Sequence, residues 1–144
     1  MNANAVATEE VPLSADAVWK VIGDFAGIRK WAPAVMEESV DRSAPEGVVR
    51  TLKMPPDGRV IRELLAAEEK YAYTYRYIGQ HRFASEYQCT IRVIPVDAGK
   101  SRIELKSEFT PRPELNAEEV AGNMQKSVSG NLKAMKRALG LPKE

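Results

Sequence analysis

The residues able to do chemistry are few, and most of them fall between positions 63 and 89. Tyrosine recurs at every second position as Tyr71, Tyr73, Tyr75 and Tyr77. A strand sends alternate side chains to opposite faces, so this spacing is expected to stack all four phenols on one side. Ala72, Thr74 and Arg76 are then left to water. A buried tyrosine hydroxyl needs a partner or a water, which makes a row of phenols an expensive core filler. It suits a cavity wall that binds something largely apolar with a few polar groups. The plainer alternative is strand filler, because tyrosine has a high β propensity.

Three further side chains deserve weighing. Glu63 stands between Ile61 and Leu65, where a carboxylate is costly to bury alone. An ion pair with Arg50 or Arg62 is the first expectation; an outward position, a polar anchor or a general base are the others. His81 is the one histidine and the one side chain that ordinarily titrates near neutrality. No acid partner is placed beside it, and a loop histidine is more often a hydrogen-bonding group than a catalyst. Cys89 alternates with apolar residues and is expected to behave as a small hydrophobe, with no His or Asp set to activate it.

Composition narrows the classes. The 144 residues suggest one domain spanning 1–144, long enough to bury a real core. Basic and acidic residues number 21 and 20, and no run of Lys and Arg forms a phosphate-tracking stripe, so nucleic acid is not an expected partner. One cysteine and one histidine cannot build a disulfide, a Cys-rich zinc site or a His cluster, so no metal is expected. Met1 to Glu10 has neither the basic nor the apolar region of a secretory leader. No apolar run reaches the roughly 18 residues that would span a membrane. A cytoplasmic protein without stable membrane insertion is the expectation, with a homodimer left open.

The elements that must position these residues can be read in order. A strand is expected over Ala5–Val11. Ser14 can cap a helix over Ala15–Ile22, and Gly23-Asp24 separates it from a second short helix, Phe25–Trp31, ending before Pro33. Strands follow at Val35–Ser43, Val48–Met54 and Val60–Ala66, then the tyrosine strand. After a Gly79–Ser85 loop, Tyr87, Cys89, Ile91 and Val93 alternate with polar residues, as do Ile103, Leu105, Ser107 and Phe109 beyond an Asp97–Lys100 turn. Asn116 and Glu119 open a last helix, over which Val120, Met124, Val128, Leu132, Met135 and Leu139 form an apolar stripe. About 22 residues at 1.5 Å each give roughly 33 Å, enough to lie across a curved sheet.

This order resembles the helix-grip fold of the START-like superfamily, and locally its bacterial polyketide cyclase/dehydratase-like group. The likeness rests on Val18-Trp19 with Val21-Ile22-Gly23-Asp24-Phe25, on Trp31-x-Pro33-x-Val35, on Arg50 after Gly47, and on Gly58 with Glu63. Tyr75 before the Gly79 loop, Tyr87 and Pro111 complete it. The resemblance implies an α+β fold: a seven-stranded curved antiparallel sheet around the C-terminal helix, with two short helices after the first strand. Gly79-Gln80-His81-Arg82-Phe83 also resembles the latch loop of abscisic-acid receptors, and a hinged cover over a cavity mouth would follow. The gate of those receptors is replaced here by Met54-Pro55-Pro56-Asp57-Gly58, and their anchoring lysine falls at Ala32.

The resemblance implies a cavity between sheet and helix, and with it a set of ligand-binding residues. Tyr73, Tyr75, Tyr77, Tyr87, Cys89, Ile91, Leu105 and Ser107 are expected to line it from the strands, with Met124 and Val128 from the helix. Leu52, Met54 and Glu63 face in by analogy; Phe25, Ile28 and Trp31 lie near the mouth, and His81 and Phe83 on the loop over it. No cofactor is implied. The function expected is binding of a small hydrophobic or amphipathic molecule, lipid included. The runner-up is a polyketide cyclase/dehydratase-type enzyme in which Tyr75, Tyr87, His81 or Glu63 handles protons. A third class, a client-binding module, would expose its apolar face instead.

Overall fold

The computed structural model describes residues 1–142. Strand β1 (Ala3–Val11) is stopped by Pro12, and Ser14 then starts α1 (Ala15–Ile22), its hydroxyl accepting from the Ala17 N–H at 3.1 Å. Asp24 caps the next turn in the same way, accepting from Ala26 N at 2.9 Å, and a short 3₁₀ segment, Phe25–Lys30, follows. These caps satisfy N–H groups that a helix start leaves without a partner. Two short helical pieces after the first strand are thus present as the sequence suggests. The next strand begins later than Val35, because the Val35 N–H is already bonded to Ala32 O in a turn.

From there the chain is strand after strand: β2 (Glu37–Ala44), β3 (Gly47–Met54), β4 (Arg59–Glu69), β5 (Ala72–Ile78), β6 (Ala84–Asp97) and β7 (Lys100–Pro111). All pair antiparallel in one open curved sheet, in the order β1-β7-β6-β5-β4-β3-β2. Helix α2 (Ala117–Ala138) closes the molecule, with Asn116 accepting from Glu119 N at its start. Its stripe is buried as the spacing predicts: Val120, Met124, Val128, Leu132 and Met135 all face the core. The fold is the α+β helix-grip arrangement. Among the described residues no helix is long and apolar enough to cross a membrane.

Two expectations about the tyrosine strand need correcting. Tyr71 does not belong to it. With Glu69 opposite Ala72, Lys70 and Tyr71 form a two-residue turn, and Tyr71 takes a positive φ of 64° there. Its ring stands edge-on to Trp19, and its hydroxyl is bonded to Asp16 at the start of α1. Ala72, expected in water, is buried. Its ladder neighbours Glu69 and Arg92 share its face and join in a salt bridge of 3.5 Å over it.

The long helix also covers less than its length allows. It packs mainly on β1 and β7 rather than across the whole concave face. The 3₁₀ segment covers another part: it packs on β2, its Phe25 carbonyl accepts from Arg50 of β3, and the Phe25 ring meets Tyr73 of β5. That division is what leaves room for a cavity.

Candidate ligand-binding cavity

A partly enclosed cavity of about 180 Å³ lies under this cover. Register dictates its floor. Arg50, Leu52 and Met54 alternate along β3, and each is paired across the ladder with a residue of β4: Glu63, Ile61 and Arg59. Glu63 is in turn opposite Tyr77 on β5. Directly opposed residues share a face, so one run of inward positions carries two arginines, a glutamate and a tyrosine. Tyr75 and Tyr87 extend the wall, His81 adds the loop, and Ile28, Trp31, Ala32 and Val35 roof it. Ser127 and Asn131, one helical turn apart on α2, close the remaining side.

At the bottom sits an ion pair. Arg50 Nε donates to Glu63 Oε1 at 2.6 Å, with the two side chains 1 % and 4 % exposed. The salt bridge ranked first from sequence is therefore present, and it goes to Arg50. Arg62 is one residue from Glu63, points to the other face and pairs with Glu46 instead. Arg50 also donates from Nη1 to the Phe25 carbonyl at 3.1 Å, and its guanidinium lies over the Phe25 and Tyr75 rings at 4.3 and 4.8 Å. Burial alone would discourage its charge, but the Glu63 carboxylate together with Tyr73 and Tyr75 outweighs that and keeps the guanidinium firmly protonated. Arg50 thus ties sheet to cover and fixes one end of the cavity.

His81 is held as a neutral ring. Its Nδ1 accepts from the Phe83 N–H at 3.0 Å, which places the remaining proton on Nε2. The imidazole stacks on Tyr87 with centroids 4.6 Å apart and leans on Tyr77 at 4.5 Å. Burial, then the charges of Arg59, Arg82 and Arg112, lower its pKa to about 4. The loop does not hang free: Arg112 donates to the His81 carbonyl at 3.1 Å and, through its backbone, to the Phe83 carbonyl at 3.0 Å.

The phenols and the thiol are pushed the other way. Burial raises Tyr75 and Tyr87 well above their ordinary 10, and raises Cys89 to about 11. None of these is a ready proton donor or nucleophile near neutral pH.

Of the residues expected to line a cavity, Trp31, Leu52, Met54, Glu63, Tyr75, Tyr77, His81 and Tyr87 do so, together with Ile28. Phe25, Tyr73, Phe83, Cys89, Ile91, Leu105, Ser107, Met124 and Val128 are not in its wall. Phe25 stands edge-on to Tyr73 beneath the Arg50 guanidinium, and Tyr73 is sealed between Phe25 and Trp19. Cys89 and Leu105 sit in the packed core, as do Met124 and Val128 where α2 meets the sheet. Phe83 packs at the core's margin beside His81. Sequence reasoning did not place Ala32, Val35, Arg50, Arg59, Ile61, Ser127 or Asn131 in the wall. Arg59 and Ile61 could have been found by stepping back in twos from Glu63. Ser127 and Asn131 border the apolar stripe, and nothing in their spacing sets them apart from other polar helix positions.

Fold and cavity together define a START-like helix-grip protein, and the sequence narrows this further. Residues 2–140 match the family described as polyketide cyclase / dehydrase and lipid transport, and the chain belongs to that family. None of the curated proteins matches its sequence. Among solved structures it is similar to an uncharacterised protein from Bacillus thuringiensis, with 28 % identity, a TM-score of 0.83, and coverage of 95 % of this chain and 98 % of the other. XoxI from Bacillus cereus matches at 28 % identity and a TM-score of 0.82, over 95 % of both chains. The Zhui aromatase/cyclase from Streptomyces sp. R1128 shares the fold, at 20 % identity and a TM-score of 0.68 over 96 % and 92 %.

Proposed function

We propose that this protein binds a small amphipathic molecule carrying a ring, inside the cavity between β3–β6, the 3₁₀ cover and α2. The observation that carries the reading is a cavity of about 180 Å³ lined by the aromatic residues Tyr75, Tyr77, Tyr87 and His81 together with polar ones. An engineered cavity of about 150 Å³ accepts benzene, so one ring with a small substituent matches the space. A two-chain lipid is far too large for it. The apolar faces of sheet and helix are turned on one another, which argues against a client-binding surface.

Proton-transfer catalysis is the weaker reading. An effective acid or base has a pKa near the working pH. Here His81 stays neutral down to about 4, the cavity phenols are raised, and Glu63 is committed to Arg50. Membership of a family whose description includes a cyclase keeps turnover worth assaying.

The test is native mass spectrometry for a co-purified small molecule, followed by titration with p-cresol monitored by the fluorescence of Trp31 in the cavity wall. Saturable binding that disappears in Ile61→Trp, which fills the cavity, is expected. A wild-type titration without saturation, and no co-purified ligand, would sink the reading.

A further inference from the structure

We propose that the ligand is a small monoanion of about one ring, its carboxylate or equivalent oxyanion received by Arg59 and the indole N–H of Trp31. This rests on the binding reading above and adds the ligand's charge and the groups that read it.

The charges in the wall do not cancel. Arg50 is matched by Glu63. His81 uses Nδ1 as an acceptor and is neutral. Arg59 remains, and among the described residues its guanidinium has neither an ion pair nor a side-chain hydrogen bond. Its backbone N–H donates to Asp57 Oδ1 at 3.2 Å. The position is built rather than incidental: the Pro55–Gly58 turn, closed by Gly58 N to Met54 O at 2.8 Å, sets Arg59 opposite Met54 on an inward site.

Two donors in the wall are also buried without an acceptor. Arg59 Nε is one and Trp31 Nε1 is the other, on a side chain only 3 % exposed. Buried donors are nearly always satisfied, and both side chains border one cavity, which points to a group that arrives from outside. A neutral oxygen would serve Trp31 but leave the Arg59 charge unmatched. A carboxylate serves both, because its two oxygens suit a guanidinium fork and still have lone pairs to spare. The surroundings agree in sign: Arg82 and Arg112 lie close enough to His81 to oppose a second positive charge there. A ring on the carboxylate would then lie among Tyr75, Tyr77, Tyr87 and His81.

The discriminating experiment is calorimetric titration of the full chain with benzoate and with benzamide, its neutral isostere, at pH 7. Benzoate is expected to bind at least about tenfold more tightly, as a charge-assisted hydrogen bond warrants. Arg59→Gln should abolish that preference while leaving benzamide within about twofold. Trp31→Phe should weaken benzoate several-fold, and its circular dichroism melt shows whether folding is kept. Equal binding of the two probes, equal weakening of both by Arg59→Gln, or no binding of either while p-cresol still binds would each overturn the monoanion while leaving the cavity reading standing. If p-cresol fails as well, both fall.

Discussion

Arg50 and Glu63 face each other across the β3–β4 ladder and meet at 2.6 Å in the floor of the cavity, almost wholly out of water. Such a pair is expensive to break and cheap to replace as a unit, since losing one partner strands a buried charge. Glu63→Gln should therefore destabilise the protein by about 3–5 kcal/mol in urea denaturation. The double variant Arg50→Met/Glu63→Leu should recover most of that loss. A single variant as stable as wild type would show that Arg50 is not held by Glu63's charge.

Acid should act through His81. The unfolded chain takes up the imidazole proton near pH 6.5 and the folded chain only near 4. Protons therefore favour the unfolded state between those values. The His81 contribution is intact above about pH 6.5 and is lost progressively as the pH falls toward 4. Urea midpoints measured across this window should fall more steeply for wild type than for His81→Asn. Parallel slopes would mean that the ring takes its proton as easily folded as unfolded.

Val128 is 1 % exposed where α2 meets the sheet. Val128→Asp would put an unpaired carboxylate there, and a loss above about 4 kcal/mol is expected, enough to unfold a marginal domain. Thermal melting followed by circular dichroism reads this directly. A variant melting with wild type would place the stripe in water.

The cavity phenols should matter for affinity and little for folding. Tyr75→Phe, Tyr77→Phe and Tyr87→Phe keep ring and area but remove a hydroxyl. Each should weaken p-cresol by about 0.5–1.5 kcal/mol where its hydroxyl meets the ligand, a loss of several-fold at most. A roughly 100-fold loss of turnover in any of them, with affinity kept, would overturn the binding reading in favour of proton transfer.

Much of the architecture was legible in the order of residues. Period-two alternation marks β6 and β7, a capped period-3.6 stripe marks α2, Ser14 announces the first short helix, and Gly23-Asp24 separates it from the second. These signals are local, and a chain carries them wherever it goes. A cation beside Glu63 was also legible, because an isolated buried carboxylate needs one, but the choice of Arg50 over Arg62 came from the β3–β4 register.

What tertiary structure alone decided is which inward residues meet solvent space and which meet protein. Tyr73 and Tyr75 share one strand face, yet Tyr73 is sealed by Trp19 and Phe25 while Tyr75 lines the cavity. The difference lies in where α1 and the 3₁₀ segment dock, not in the strand. Likewise α2 settles on β1 and β7, which buries Met124 and Val128 in packing and turns Ser127 and Asn131 toward the cavity. Alternation tells a side chain which face it occupies. Only the registers and docking of distant segments tell it what stands on the other side.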